Sequence, residues 1–159
     1  MDRALLTPAL LGPDARLTDQ PGACAGALPH PSAIRSADYA LADGGWLEVA
    51  TVAWPTAADA ARALPTLPAR IARCTPGAQP FAVQAATAAP AYGQQSYIGE
   101  GGGILTSGAP FAYYLGIARS GPMVSVLAIR NAKVAVSLST YDQVFALAVA
   151  RLLAAAPRP

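Results

Sequence analysis

Apolar and polar positions alternate in some stretches of the chain and recur at helical spacing in others. From Ser36 to Trp54 the alternation predicts a β-hairpin, with Asp43-Gly44-Gly45 as the turn between two strand-like runs. In the second run Leu47, Val49, Thr51 and Ala53 share one face, and Trp46, Glu48, Ala50, Val52 and Trp54 share the other. Pro55 ends that run. Thr56 then reads as a helix N-cap, with Asp59 three residues on as its capping-box partner. Ala60, Leu64, Leu67, Ile71 and Cys74 recur at three- and four-residue spacing, a single apolar face about five turns long. Pro65 and Pro68 fall inside that pattern. They predict a kink or a split, with Thr66 restarting the helix as a second cap.

Further on, Phe81 to Thr87 and Gln94 to Ile98 read as short strands, and Glu100-Gly101-Gly102-Gly103 as a glycine-rich hairpin tip. That tip lacks the Gly-Lys-Ser/Thr ending of a phosphate-binding loop and the spacing of a dinucleotide fingerprint. Phe111 to Arg119 and Met123 to Arg130 form the clearest hairpin, turning at Ser120-Gly121-Pro122. Phe111, Tyr113, Leu115 and Ile117 share a face of its first strand, and Val124, Val126 and Ala128 a face of its second. Both runs are apolar on both faces, as central strands are. Lys133 to Leu138 suggests one more short strand. Thr140 or Ser139 caps a last helix that runs to about Ala155 and turns Tyr141, Val144, Phe145, Ala148 and Leu152 inward. At the other end, Asp2 to Leu11 reads as a short helix stopped by Gly12-Pro13, and residues 12–31 read as loop. Strands joined by tight turns, with helices set apart from them, define an α+β fold. The expectation is an antiparallel β-sheet of about five to six strands packed by two longer helices and a short N-terminal helix.

A length of 159 residues suits a single domain with its own core. Apolar residues make up 53% and charged residues 13%, which excludes a disordered chain. The net charge of +2 is scattered. Arg70 and Arg73 make the densest basic spot, and cations near a helix C-terminus complement its dipole. With no basic stripe, nucleic acid is not an expected partner. No long apolar run free of charge, proline and glycine is present to span a membrane, and the first residues are interrupted too early for a signal peptide. Any export or anchor segment is therefore expected outside this sequence.

Two cysteines, Cys24 and Cys74, lack metal-type or redox-type spacing. Cys24 sits in a Pro/Gly-rich loop, and Cys74 ends a helical stripe before Thr75-Pro76-Gly77. The placement favours a disulfide clamping the N-terminal segment, residues 1–35; the alternative is two unrelated buried thiols. The chain's one histidine, His30, lies between Pro29 and Pro31 and reads as a stiff, exposed loop residue. A Cys/His or Ser-His-Asp nucleophile and a transition-metal site are both poorly supplied by this inventory, so the expectation is no catalytic residue, no metal and no cofactor. Most carboxylates sit at caps and turns. Glu48 is the exception, mid-strand, where it reads either as a solvent-facing position or as a polar group lining a cleft. If one sheet face is only partly covered by helices, Glu48, Gln84 and Tyr114 line the gap, with Trp46 and Tyr39 as further cleft candidates. Trp54, Gln95 and Tyr97 belong to the same aromatic and amide set.

Several stretches carry a resemblance: Ala4-Leu5-Leu6-Thr7-Pro8-Ala9-Leu10-Leu11-Gly12, the loop cysteine Cys24, and the Ala-rich helix running into Arg73-Cys74-Thr75-Pro76. The paired strands from Tyr113 to Ile129 and the closing Ala/Leu/Arg helix to Leu153 add to it. Together they resemble the extracellular sensor domain of PknH-type serine/threonine kinases and the related actinobacterial sensor-domain-containing lipoproteins. The resemblance implies an antiparallel sheet with packed helices and a cleft, placed outside the cytoplasm, without catalysis. The kinase sensor domain carries two disulfides, whereas this chain has cysteines for one. The expected function is an extracytoplasmic binding or sensing domain that captures a small molecule or an envelope component in a cleft. The alternative is an accessory envelope lipoprotein acting through protein–protein contacts.

Overall fold

The computed structural model describes residues 16–18, 24, 28–41, 44–86, 91–131 and 138–155. The strands are β1 (Arg16–Leu17), β2 (Ala33–Ala40), β3 (Trp46–Ala53), β4 (Val83–Ala85), β5 (Gln95–Ile104), β6 (Pro110–Ser120) and β7 (Met123–Asn131). The helices are α1 (Ala57–Ala63), a 3-10 turn (Leu64–Thr66), α2 (Leu67–Arg73) and α3 (Leu138–Ala155). All neighbouring strands pair antiparallel in one seven-stranded sheet of order β1-β2-β3-β7-β6-β5-β4. The α+β class is as expected. The strand number exceeds the expected five to six because β1 and β4 are edge pieces of two and three residues. The expected N-terminal helix, and residues 133–137 of the strand expected from Lys133 to Leu138, lie outside the described residues, and Leu138 itself begins α3.

Parity along the strands decides what each face carries. Residues paired across an antiparallel sheet point to the same side. One cross-sheet row reads Tyr39, Leu47, Ile129, Tyr114, Glu100, Gln84. The adjacent row reads Ala40, Trp46, Arg130, Tyr113, Gly101, Val83 and points the other way. Strands β3, β6 and β7 are buried on both faces, so both must be covered. On one face Trp46, Ala50, Val52, Trp54, Tyr113, Leu115, Ile117, Val124 and Val126 pack with Ala60, Leu67 and Ile71 of the α1–α2 layer. On the other, Leu47, Val49, Tyr114, Leu127 and Ile129 pack with Tyr141, Phe145, Ala148 and Val149 of α3. The helices therefore lie on opposite faces of the sheet, and the apolar stripes expected for both helical units are the ones that are buried.

Three local expectations change. Pro65 and Pro68 do split the helix, through the 3-10 turn, but the Thr66 side chain caps nothing; its hydroxyl donates to the Ala63 carbonyl at 2.8 Å. Ser139 and Thr140 follow the first residue of α3 instead of preceding the helix. Glu100 to Gly103 is not a hairpin tip but part of β5, paired with Tyr114 to Phe111. The turn falls later, where the Gly108 N–H donates to the Leu105 carbonyl at 2.8 Å and Gly108 takes φ 88°. The glycine at 101 answers to close passage: a Cβ there would lie 2.5 Å from the Ala82 carbonyl oxygen.

Gly116 of β6 sets how α3 docks. A Cβ on it would sit 2.5 Å from the Tyr141 hydroxyl and 2.6 Å from the Phe145 ring. Gly116→Val is expected to destabilise the fold by about 1–3 kcal/mol through overpacking, read as a lower urea midpoint with an unchanged slope. A variant as stable as the parent contradicts this docking.

Cys24 and Cys74 form the disulfide, with Cα atoms 5.2 Å apart and a sequence separation of 50. A loop of that length contributes about 4 kcal/mol in the chain-entropy model. The paired Cys24→Ser and Cys74→Ser variant is expected to lose about that much, and unreduced protein to show no titratable thiol. Two reactive thiols in a folded sample contradict the bridge.

Candidate functional site

Trp54 closes β3 on the face that carries α1 and α2, and it is only 5% exposed. Its indole N–H donates to the Pro29 carbonyl at 2.9 Å, which ties the loop before β2 to the end of β3. Ser32 reinforces that tie: its amide and its hydroxyl both donate to the Ala53 carbonyl, at 2.8 and 3.0 Å. Between these anchors stands His30, exposed, with φ 45°. Among the described residues it alone has a positive φ without being glycine. A bulky residue in that region carries backbone strain, and such strain gathers at functional sites.

The facing wall comes from the helical layer. Thr56 caps α1 as expected, accepting the Asp59 amide at 3.1 Å and donating its own hydroxyl to the Asp59 carboxylate at 2.7 Å. That carboxylate also receives Arg62 at 3.1 Å. Arg62, Thr66 and Arg70 follow at four-residue spacing along one exposed edge of the layer. Loop and helices enclose an open groove of roughly 460 Å³, within the range of small-molecule sites, with an apolar lining that includes Trp54 and Ala63 and with His30, Asp59, Arg62, Thr66 and Arg70 as its polar groups.

A second polar cluster lies inside the core. Asp38 and Glu48 stand directly opposite each other in the β2–β3 register, and both are buried. Trp46 donates its indole N–H to Asp38 Oδ2 at 3.3 Å. The Glu48 carboxyl accepts the backbone N–H of Cys24, while its Oε2 has no hydrogen-bond partner. Burial, and then the charge of Asp38, push the Glu48 carboxyl up to about 8, partly offset by the Cys24 N–H. Nearby, burial raises the Tyr113 hydroxyl, which is buried without a hydrogen-bond partner. Burial also lowers Arg130, whose guanidinium donates to the Pro76 carbonyl at 3.0 Å and holds the turn that follows Cys74.

The expected cleft is not assembled. Glu48 is 2% exposed and neither faces solvent nor lines an opening, because strand parity aims it under the disulfide. Trp46 shares its face and is buried with it. Tyr39 and Tyr114 point to the opposite face and are sealed by α3, with Tyr114 packed 5.4 Å from the Tyr141 ring. Gln84 is exposed on the edge strand β4, beside Glu100, Gly101 and Gly102 in a shallow polar concavity. Gln84 and Tyr114 therefore share a face two strands apart, about 10 Å, and Glu48 lies on the other side of the sheet. The three therefore line no common opening.

The groove residues were each legible only in another role. His30 reads as a loop spacer, Asp59 as a cap and Arg70 as a dipole partner; of the groove's side chains, only Trp54 stands out in the sequence as an aromatic candidate. The one hint is a histidine held between two prolines. Among the described residues, no group of three His, Cys, Asp or Glu side chains stands close enough together to hold a metal ion, and no helix is long and apolar enough to cross a membrane.

A three-layer arrangement, one antiparallel sheet between an α1–α2 layer and a single long helix, defines the fold class. Among solved structures, the fold is similar to the extracellular domain of PknH from Mycobacterium tuberculosis, with a TM-score of 0.57 over 96% of this chain and 94% of that one. Sequence identity is 14%, so the likeness is one of fold. No family model matches the sequence, and no curated protein matches it.

The buried Glu48 makes stability depend on pH. An unfolded glutamate releases its proton near 4.5, whereas the folded one keeps it to about 8. The folded state thus binds more protons between those values, and stability falls as pH rises through that window, by up to about 1.4 kcal/mol per unit. Glu48→Gln is expected to flatten that slope and to raise stability at pH 8, measured by urea unfolding across the range. An unchanged slope contradicts a buried, protonated Glu48.

Proposed function

We propose that this chain is a non-catalytic, extracytoplasmic sensing domain that captures a small molecule in the groove between the Pro29-His30 loop and the α1–α2 layer. The groove carries the reading: it has the volume of a ligand site, an oriented aromatic floor and polar groups on both walls. The fold shared with an extracellular kinase domain supports a place outside the cytoplasm, and so does the disulfide, since such bonds persist in oxidising compartments. The bridge also makes capture mechanically meaningful. It fastens the chain before the loop wall to the end of the helical wall, so a ligand seated between them changes how two covalently linked segments press together.

A second reading, an envelope protein acting through protein contacts, has the outer side of α3 in its favour, where Leu147 and Leu153 are 43% and 51% exposed.

The two readings part in a thermal-shift screen with cell-wall fragments and lipids. A ligand that binds the folded state raises the melting temperature by mass action. Capture in the groove predicts such a hit and its loss in Thr66→Trp, which fills the groove from an exposed position. A hit that survives Thr66→Trp removes the groove from the proposal.

A further inference from the structure

A carboxyl sealed in a core keeps its proton unless a cation or several donors stand beside it. The groups that face Glu48 favour the proton. Asp38 of β2 stands directly opposite with a second buried carboxyl. Tyr113 of β6 brings a buried hydroxyl that has no hydrogen-bond partner. Tyr97 of β5 donates its hydroxyl to the Val83 carbonyl at 3.5 Å, and Arg130 of β7 turns its guanidinium to the Pro76 carbonyl at 3.0 Å. The α1–α2 layer sends Ala60, Leu67 and Ile71 into this core, while Arg62, Arg70 and Arg73 are exposed. The donor to the Glu48 carboxyl is the backbone N–H of Cys24, and Oε2 has none.

That donor belongs to one of the two bridged cysteines. With the bridge closed, Cys24 is 3% exposed and is held covalently in place over a 2% exposed Glu48. With the bridge open, the covalent hold on this cover is gone, and water gains access to the carboxyl. Cover and proton are therefore linked, and linkage is reciprocal: whatever opening does to the proton affinity of Glu48, the proton does to opening.

We propose that Glu48 is a proton-operated latch on the Cys24–Cys74 bridge: the protonated carboxyl holds the bridge against reduction, and opening the bridge releases the Glu48 proton to water. The inference goes beyond ligand capture and does not depend on the groove. The reductant is a small dithiol. Cys74 is the less buried cysteine, so one dithiol sulfur bonds to the Cys74 sulfur as the bond to Cys24 breaks, and Cys24 leaves as a thiolate that takes up a proton. The second dithiol sulfur then closes the oxidised ring, and Cys74 leaves and is protonated in turn. Two electrons pass from dithiol to bridge, and the two dithiol protons end on Cys24 and Cys74. Below the thiol range of about 8.5, this exchange neither consumes nor releases a proton. Any dependence of its equilibrium on pH must come from another group.

The test is the exchange equilibrium of the folded chain with reduced and oxidised dithiothreitol, quenched by acid and read as free thiol, from pH 5.5 to 7.5. The equilibrium constant for opening is expected to rise up to about tenfold per pH unit, one proton released per bridge. Glu48→Gln keeps a neutral acceptor for the Cys24 N–H and has no proton to lose, so its constant should stay flat. In the reduced chain, the Glu48 carboxyl carbon followed by NMR should titrate well below its value in the bridged chain.

A flat constant in the parent chain overturns the latch. A slope that survives in Glu48→Gln assigns the proton to another group and also overturns it. Loss of the amide dispersion of β6 and β7 on reduction would mean that Glu48 ionises through global unfolding, and a local latch is then excluded.

Discussion

The bond between Cys24 and Cys74 joins the chain ahead of β2 to the end of the α1–α2 layer. Its effect reaches beyond the unfolded state. It holds the Cys24 backbone N–H over the Glu48 carboxyl, so a polar group that strand parity forces into the core has one partner there. It also fastens the stretch leading to Leu28 and Pro29, whose carbonyl accepts the Trp54 indole and fixes one wall of the groove. Arg130 completes the clamp from the sheet side by holding the Pro76 carbonyl just after Cys74. Core, arm and groove thus share one covalent point.

Coverage of the sheet on both faces follows from its central strands. β3, β6 and β7 alternate apolar residues to both sides, and an exposed apolar face of that size would be unstable in water. The α1–α2 layer and α3 each take one face, and each approach is governed by small residues: Ala60 and Ala63 on one side, Gly116 and Ala148 on the other. This double coverage closes the central strands to ligands. The open space lies at its margins, above all where the β3 end, the loop before β2 and α1 meet.

Polar groups in the two regions have opposite physics. Beneath the bridge, low polarity and a facing carboxyl favour the neutral form of Glu48, which makes it a determinant of stability and a poor ligand contact. On the groove rim, Arg62, Thr66 and Arg70 are exposed to water. Exposure as well as residue type separates the structural carboxylate from the candidate binding groups.

Local order was readable in the chain itself. The turn at Gly44-Gly45, the Gly121-Pro122 turn, the Thr56 cap and the apolar stripes of both helical units depend on neighbours a few residues away, and such interactions are written in spacing. The pairing of a loop cysteine with a helix-end cysteine was legible for the same reason, from the local surroundings of each. Tertiary structure alone decided that β3 pairs with β7, that helices lie on opposite faces, and that Glu48 and Trp46 point away from Tyr39, Tyr114 and Gln84. It alone brought His30 across from Arg62 and Arg70, more than thirty positions along the chain. Periodicity assigns a residue to a face of its own element; which partner covers that face is set by long-range packing, and no local pattern encodes it.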